Sequence, residues 1–260
     1  MSDSHGRFIW YELMTSDTAG AKAFYGAIMG WDMDEMPMPG MTYTVVGPGQ
    51  GMGGIMAIPE QAKAMGVPPN WTGYVAVDDV DASVAQVASL GGAVLVPPTD
   101  IPDIGRFAVI ADPAGAAIAI MTPTERTTAP PRPAQRGAMG HASWRELYAG
   151  DPGSSFGFYE SLFGWTKDDA LDMGPMGTYQ LFANNEGVVG GMMKKPEQVP
   201  VACWSYYFQV GDIDRSAEQV KAAGGQIFMG PMEVPGGDWI IQGQDPQGAM
   251  FALVGTRAGS

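Results

Sequence analysis

The 260-residue chain is written twice. Trp10-Tyr11-Glu12-Leu13 returns as Trp144-Arg145-Glu146-Leu147, and Ala23-Phe24-Tyr25-Gly26 as Gly157-Phe158-Tyr159-Glu160. Gly30-Trp31 returns as Gly164-Trp165, Thr42-Tyr43 as Thr178-Tyr179, and Gly53-Gly54 as Gly190-Gly191. Trp71-Thr72 returns as Trp204-Ser205, and Asp112-Pro113 as Asp245-Pro246. Residue 144 stands 134 after residue 10, residue 179 stands 136 after residue 43, and residue 245 stands 133 after residue 112. A spacing this constant is the mark of one module used twice, and it constrains the architecture before any single element is assigned. Residues 124–138 are rich in Pro and Thr and carry no periodicity, so they read as a linker. Two domains are expected, at 1–123 and 139–260.

Within one copy, hydrophobic period and breaker residues place the elements. Phe8 to Met14 reads as a strand, followed by Thr15-Ser16-Asp17 as helix caps and by a helix from Ala19 to Ile28. Met29-Gly30-Trp31 closes the helix and enters a second strand, and Met41–Val46 and Gly53–Ile58 read as further strands. The pattern then restarts. Gly73–Val77 is a strand, and Asp78-Asp79-Val80-Asp81 opens a helix from Ala82 to Leu90 that Gly91-Gly92 closes. Strands follow at Ala93–Val96, Phe107–Ala111 and Ala117–Met121. Each domain is thus α+β, two β-α-β-β-β units, and the chain holds four. Side chains alternate across a strand, so Trp10, Glu12 and Met14 share one face and Ile9, Tyr11 and Leu13 the other. The second set is the apolar face expected under the helix. Glu12 and Glu146 are then expected on the opposite, concave face.

Charge narrows the partners. The net charge is −14 with only 14 Lys and Arg, which argues against nucleic acid and against an anionic membrane surface. A single cysteine, Cys203, excludes an internal disulfide and reads as a packed thiol. No apolar run reaches the roughly 20 residues of a membrane span, and the N-terminus has no apolar signal core, so a cytoplasmic protein is expected.

The ordered set of motifs, found twice, resembles the vicinal oxygen chelate superfamily, which includes glyoxalases, bleomycin resistance proteins and extradiol dioxygenases. The opening strand with Thr-Ser-Asp, Ala-Lys-Ala-Phe-Tyr and Gly-Trp is similar to the start of such a domain. Tyr74 to Asp81 is similar to the start of its second half, and Gly105-Arg106-Phe107 through Gly115 to its closing strand pair. The resemblance implies a curved, partly closed mixed sheet with helices outside. It also implies a divalent metal, held by a histidine on the first strand, a second ligand opening the second half and a glutamate on the last strand. Those positions fall on Trp10, Thr72 and Ala119, and in the second copy on Trp144, Ser205 and Ala252. Trp and Ala do not ligate metals, so no metal and no cofactor are expected. The two histidines, His5 and His141, do not match each other in the repeat and read as ordinary surface residues.

What remains on the expected concave face is aromatic. Trp10, Tyr43, Trp71 and Thr72, with Trp144, Tyr179, Trp204 and Ser205, are the candidate ligand-binding residues, and 19 methionines add adaptable apolar surface. Glu12 and Glu146 are candidate acid/base groups, because burial raises a carboxyl pKa toward neutrality. The competing expectation is that each glutamate ties down a neighbour such as Tyr43 or Tyr179. Arg106 is either a contact for an anionic ligand group or a solvated surface residue. Two functions follow: a metal-free protein that binds a small apolar or aromatic molecule, or an enzyme of the same superfamily working through Glu12 and Glu146. A purely interacting protein is neither supported nor excluded. Fused copies are expected to act as a covalent pseudo-dimer, in a monomer or a homodimer.

Overall fold

Four aspartates start the four main helices, and they fix the frame of the computed structural model, which describes residues 2–38, 40–49, 51–124 and 137–257. Helix α1 (Thr18–Met29) follows strand β1 (Phe8–Thr15), and the Asp17 carboxylate accepts from the Gly20 backbone N–H at 3.0 Å. Glycine closes the helix, since Gly30 has a φ of 63°, which side chains with a β-carbon resist. Strands β2 (Asp32–Met38), β3 (Met41–Gly47) and β4 (Gly53–Ala57) come next, then a short helix α2 (Glu60–Ala64). Strand β5 (Asn70–Ala76) restarts the unit. Asp79 caps helix α3 (Val80–Val87) through the Ala82 N–H, and β6 (Ala93–Ile101), β7 (Gly105–Ala111) and β8 (Ala117–Pro123) complete the copy.

The second copy repeats the order of strands and main helices, with no counterpart of α2 among its described residues. It comprises β9 (Ala142–Ala149), α4 (Pro152–Phe163), β10 (Thr166–Asp172), β11 (Thr178–Asn184) and β12 (Gly187–Lys194). It continues with β13 (Cys203–Asp212), α5 (Ile213–Ala222), β14 (Gln226–Glu233), β15 (Trp239–Gln244) and β16 (Met250–Thr256). Asp151 and Asp212 cap α4 and α5 through the N–H groups of Ser154 and Arg215.

Each copy forms one eight-stranded mixed sheet, ordered β2-β3-β4-β1-β5-β8-β7-β6 and β10-β11-β12-β9-β13-β16-β15-β14. The pairs β1–β4, β5–β8, β12–β9 and β13–β16 are parallel. The sheets are open, with β2 and β6, or β10 and β14, at their edges, rather than partly closed. Edge position explains the length of β6, which runs past the expected Val96 through Pro97 and Pro98. A proline is tolerated where no neighbouring strand needs its N–H, and the β6–β7 register shifts on either side of Val96. The linker expected at 124–138 lies outside the described residues over 125–136.

Spatial grouping divides the chain into two compact units that cut across the repeat. One holds most of β5 with α3 and β6–β8, and most of β9 with α4 and β10–β12. The other holds most of β1 with α1, β2–β4 and α2, and most of β13 with α5 and β14–β16. In the second unit Tyr25 of α1 is fully buried. Its hydroxyl donates to the Asp245 carboxylate at 3.0 Å and accepts from the Trp71 indole N–H at 2.9 Å. In the first unit the Trp204 indole donates to Tyr159 of α4 at 3.0 Å, and Ser155 donates to Asp112 at 2.7 Å. The Asp-Pro turns of the repeat therefore have two tasks. Asp112 accepts from the N–H groups of Ala114 and Ala116, and Asp245 from those of Gln247 and Ala249. With their other oxygens they receive a hydroxyl from a helix of the other copy.

Candidate functional site

Strand β1 sorts its side chains as alternation requires. Tyr11 and Leu13 are buried, while Trp10, Glu12 and Met14 on the other face are half-buried. On that face the Trp10 indole N–H donates to the Tyr43 hydroxyl at 2.8 Å, and Tyr43 donates to a Glu12 carboxylate oxygen at 3.1 Å. Tyr43 stands on β3, and β4 lies between it and β1. The ring crosses β4 at Gly54, which is paired with Glu12, and a β-carbon on Gly54 would collide with the phenol. The repeated Gly-Gly pair thus includes the opening through which the tyrosine reaches the glutamate.

The second copy builds the same chain of groups. Trp144 donates to Tyr179 at 2.8 Å, and Tyr179 is hydrogen-bonded to Glu146. Gly191, paired with Glu146, carries the Tyr179 ring, and a β-carbon there would again collide with it. Burial, reinforced by the charge of the neighbouring glutamate, pushes both phenols well above the ordinary tyrosine range. Each tyrosine therefore keeps its proton and spends it on the carboxylate. Glu146 is only 7% exposed, so that proton serves a carboxylate largely removed from water.

The same geometry tests the expected metal. At the positions of the first family ligand stand two indole nitrogens, which carry a proton, donate it to a tyrosine and have no lone pair for an ion. At the third stand two buried methyl groups, Ala119 and Ala252. Among the described residues no three His, Cys, Asp or Glu side chains are grouped to hold a metal. The donor set does not fit a divalent ion.

The structure brings together Trp10, Tyr43 and Glu12, and separately Trp144, Tyr179 and Glu146. It does not bring Trp71 or Trp204 to these groups, which corrects the expectation for both. They are buried, and each donates to a helix tyrosine, Tyr25 or Tyr159, so they belong to the core beneath the helices. Strand alternation puts Thr72 and Ser205 on the opposite face to these tryptophans, with Tyr74 and Tyr207 two residues on. Arg106 is held between Asp81 at 2.6 Å and Asp100 at 2.8 Å, a surface ion pair rather than a ligand contact. His5 is not an ordinary surface residue, because its side chain is 12% exposed and its ring nitrogens meet the Leu162 carbonyl and the Asp78 N–H. Burial and the nearby Glu146 push the Cys203 thiol upward, away from the reactive thiolate.

One pair escaped the sequence reading. The Gln242 carboxamide donates to the Tyr207 hydroxyl, and the two side chains flank Ala252. Gln242 lies on β15, where the repeat puts Val109 in the first copy, and that polar-for-apolar exchange was the available signal.

A model of the Glyoxalase/Bleomycin resistance protein/Dioxygenase superfamily matches residues 7–120 and again 138–253. The chain is 34% identical over 248 residues to the "Putative glyoxylase CFP32" of Mycobacterium tuberculosis (strain CDC 1551 / Oshkosh), covering 94% of this chain and 93% of that one. It is 29% identical to the anthracycline biosynthesis protein DauV of Streptomyces sp. (strain C5), over 95% of this chain and 92% of that one. Among solved structures it is similar in fold to the Mn(II)-bound glyoxalase from Novosphingobium aromaticivorans. The TM-score there is 0.62 at 16% identity, covering 97% of this chain and 82% of the other. A homoprotocatechuate dioxygenase variant from B. fuscum gives a TM-score of 0.64 at 14% identity, covering 95% and 70%. Likenesses at such identities speak for the fold alone.

Proposed function

We propose that this chain, which belongs to the glyoxalase, bleomycin resistance protein and dioxygenase superfamily, binds a small aromatic molecule against its paired Trp–Tyr–Glu groups. The observation that carries this reading is the replacement of a ligating position by an indole whose N–H is already committed to a phenol, in both copies. Such a group presents apolar rings around a fixed polar thread, the composition of a small-molecule site. The half-buried indoles of Trp10 and Trp144 supply stacking area, and the Tyr–Glu hydrogen bonds hold the rings in one orientation. The relatives named for anthracycline biosynthesis favour a polycyclic, oxygen-bearing aromatic over a simple hydrocarbon.

A second reading is an enzyme in which Glu12 or Glu146 moves a proton. The burial of Glu146 favours it, since a buried carboxyl meets a bound substrate with little competing water. Tryptophan fluorescence titrated with polycyclic aromatics separates the readings. Binding is expected to quench emission in wild type and to be lost with the Trp10→Ala, Trp144→Ala pair. Turnover of a bound compound that vanishes in both Glu12→Gln and Glu146→Gln would favour the enzyme. The absence of quenching across a broad aromatic set would remove the binding reading.

A further inference from the structure

The helix side of the second sheet carries a groove of about 450 Å³ beside the start of α4, and all the residues that line it belong to one compact unit. Strand alternation separates it from the Trp144–Tyr179–Glu146 group. Thr178 and Gln180 line the groove and share a face of β11 with Phe182, which stacks on Trp165 in the core. Tyr179, between them, points the other way, to Glu146. Lys167 is paired with Phe182, and Lys194 stands two residues beyond Met192, the partner of Gln180. Both lysines therefore belong to the face of the groove.

One wall is apolar. It is made by Pro152 and the Phe156 ring of α4, and by Pro175 and Met176 of the turn Gly174–Met176. Lys167 Nζ stands 5.0 Å from the centre of the Phe156 ring, which sets a cation beside this apolar surface. The charge of the groove is all of one sign. No acidic residue lines it, and among the described residues neither Lys167 nor Lys194 has an ion pair. The neighbouring carboxylates accept from backbone N–H groups, Asp151 from Ser154 at 2.7 Å, Asp168 from Asp169 at 2.8 Å and Asp172 from Gly174 at 2.9 Å. Two uncompensated ammonium groups thus face one groove in a chain with 28 acidic and only 14 basic residues. The first copy is built differently. The repeat puts Met33 at the position of Lys167, Ala57 at that of Lys194 and Lys22 at that of Phe156, and Glu35 takes the charge of Lys22.

We propose that this groove binds a small organic anion, an apolar body bearing one carboxylate, at a site separate from the Trp–Tyr–Glu groups. Its volume falls within the roughly 300–1,000 Å³ of small-molecule sites. The body lies against Phe156, Pro175 and Met176, and the carboxylate meets the two ammonium groups. Met176 is 55% exposed, so apolar surface is open to such a contact.

Octanoate and 1-octanol share the apolar body and differ in charge. Neither has a ring to stack on Trp10 or Trp144, so the outcome is independent of the aromatic-binding reading. Calorimetric titration of the full chain at low salt is expected to show octanoate bound about tenfold more tightly than 1-octanol, the worth of two exposed ion pairs. That preference is expected to shrink as salt is added. Lys167→Met combined with Lys194→Ala, which installs the first copy's own residues, is expected to bring octanoate down to the affinity of 1-octanol. Lys221→Ala, which removes an exposed lysine of α5 outside the groove, is expected to leave the preference as in wild type. Thermal unfolding confirms that each variant is folded. Absence of octanoate binding, equal affinity for the two probes, a preference that survives the double substitution, or one lost equally with Lys221→Ala would each overturn the proposal.

Discussion

The phenol of Tyr43 lies directly over Gly54, with no room for a β-carbon between them. Tyr179 stands in the same relation to Gly191. Alanine at either glycine must displace the ring, break the indole–phenol–carboxylate chain and overpack the strand. Gly54→Ala and Gly191→Ala are each expected to cost about 1–3 kcal/mol in urea unfolding. An unchanged midpoint would show that the tyrosine does not cross the sheet at that point.

The Tyr25 hydroxyl joins Trp71 and Asp245 in one buried chain. Tyr25→Phe leaves an indole donor and a carboxylate oxygen without this partner. At about 1–3 kcal/mol for each unsatisfied group, it is expected to be severely destabilising. Trp71→Phe removes a donor and leaves the Tyr25–Asp245 bond in place, so it is expected to cost less. Chemical denaturation of the two variants checks the order, and the reverse order would contradict the hydrogen-bond assignment.

Alkaline pH is expected to unfold the protein through its buried phenols. Burial first, and a nearby carboxylate second, raise the folded-state pKa of Tyr25 and Tyr43 well above the ordinary 10.0. A raised pKa means that the folded chain holds its proton longer than the unfolded chain does. The stabilisation is complete below about pH 10 and declines as pH rises past it, because only the unfolded state ionises freely there. Absorbance of tyrosinate near 295 nm is expected to show these residues ionising together with unfolding. Ionisation of all nine tyrosines near pH 10 while the fold persists would refute it.

Divalent metal is expected to leave the protein unaffected, since indole nitrogens and methyl groups occupy the ligand positions. Anything that binds the folded state alone raises the melting temperature. Excess Mn(II) is expected to cause no such rise, and protein purified without chelators is expected to carry no stoichiometric metal by elemental analysis. A stoichiometric ion would mean that other residues coordinate it.

Much of this fold is legible in the sequence because its rules are local. Asp17 and Asp79 announce their helices by offering an oxygen to free backbone N–H groups, and alternation assigns Tyr11 and Leu13 to the core face without any knowledge of partners. The expected strands and helices agree with the observed ones except at ends such as β6, where an edge position tolerates prolines that a central strand would reject, and at α2, a five-residue turn of helix with no apolar period to betray it.

What the sequence by itself determined is the repeat, the superfamily and the absence of ligating side chains at the family's metal positions, because these are properties of residue identity and order. Tertiary structure decided which groups meet. Trp10 and Trp71 are both tryptophans at strand positions, yet one donates to Tyr43 beside Glu12 and the other to Tyr25 under a helix. Only the pairing of non-neighbouring strands sets those distances. The Gln242–Tyr207 pair is 35 residues apart in the chain and becomes a unit only because β16 lies between β13 and β15. A hydrogen bond needs two atoms within about 3 Å, and for residues far apart in sequence that proximity is set by the fold.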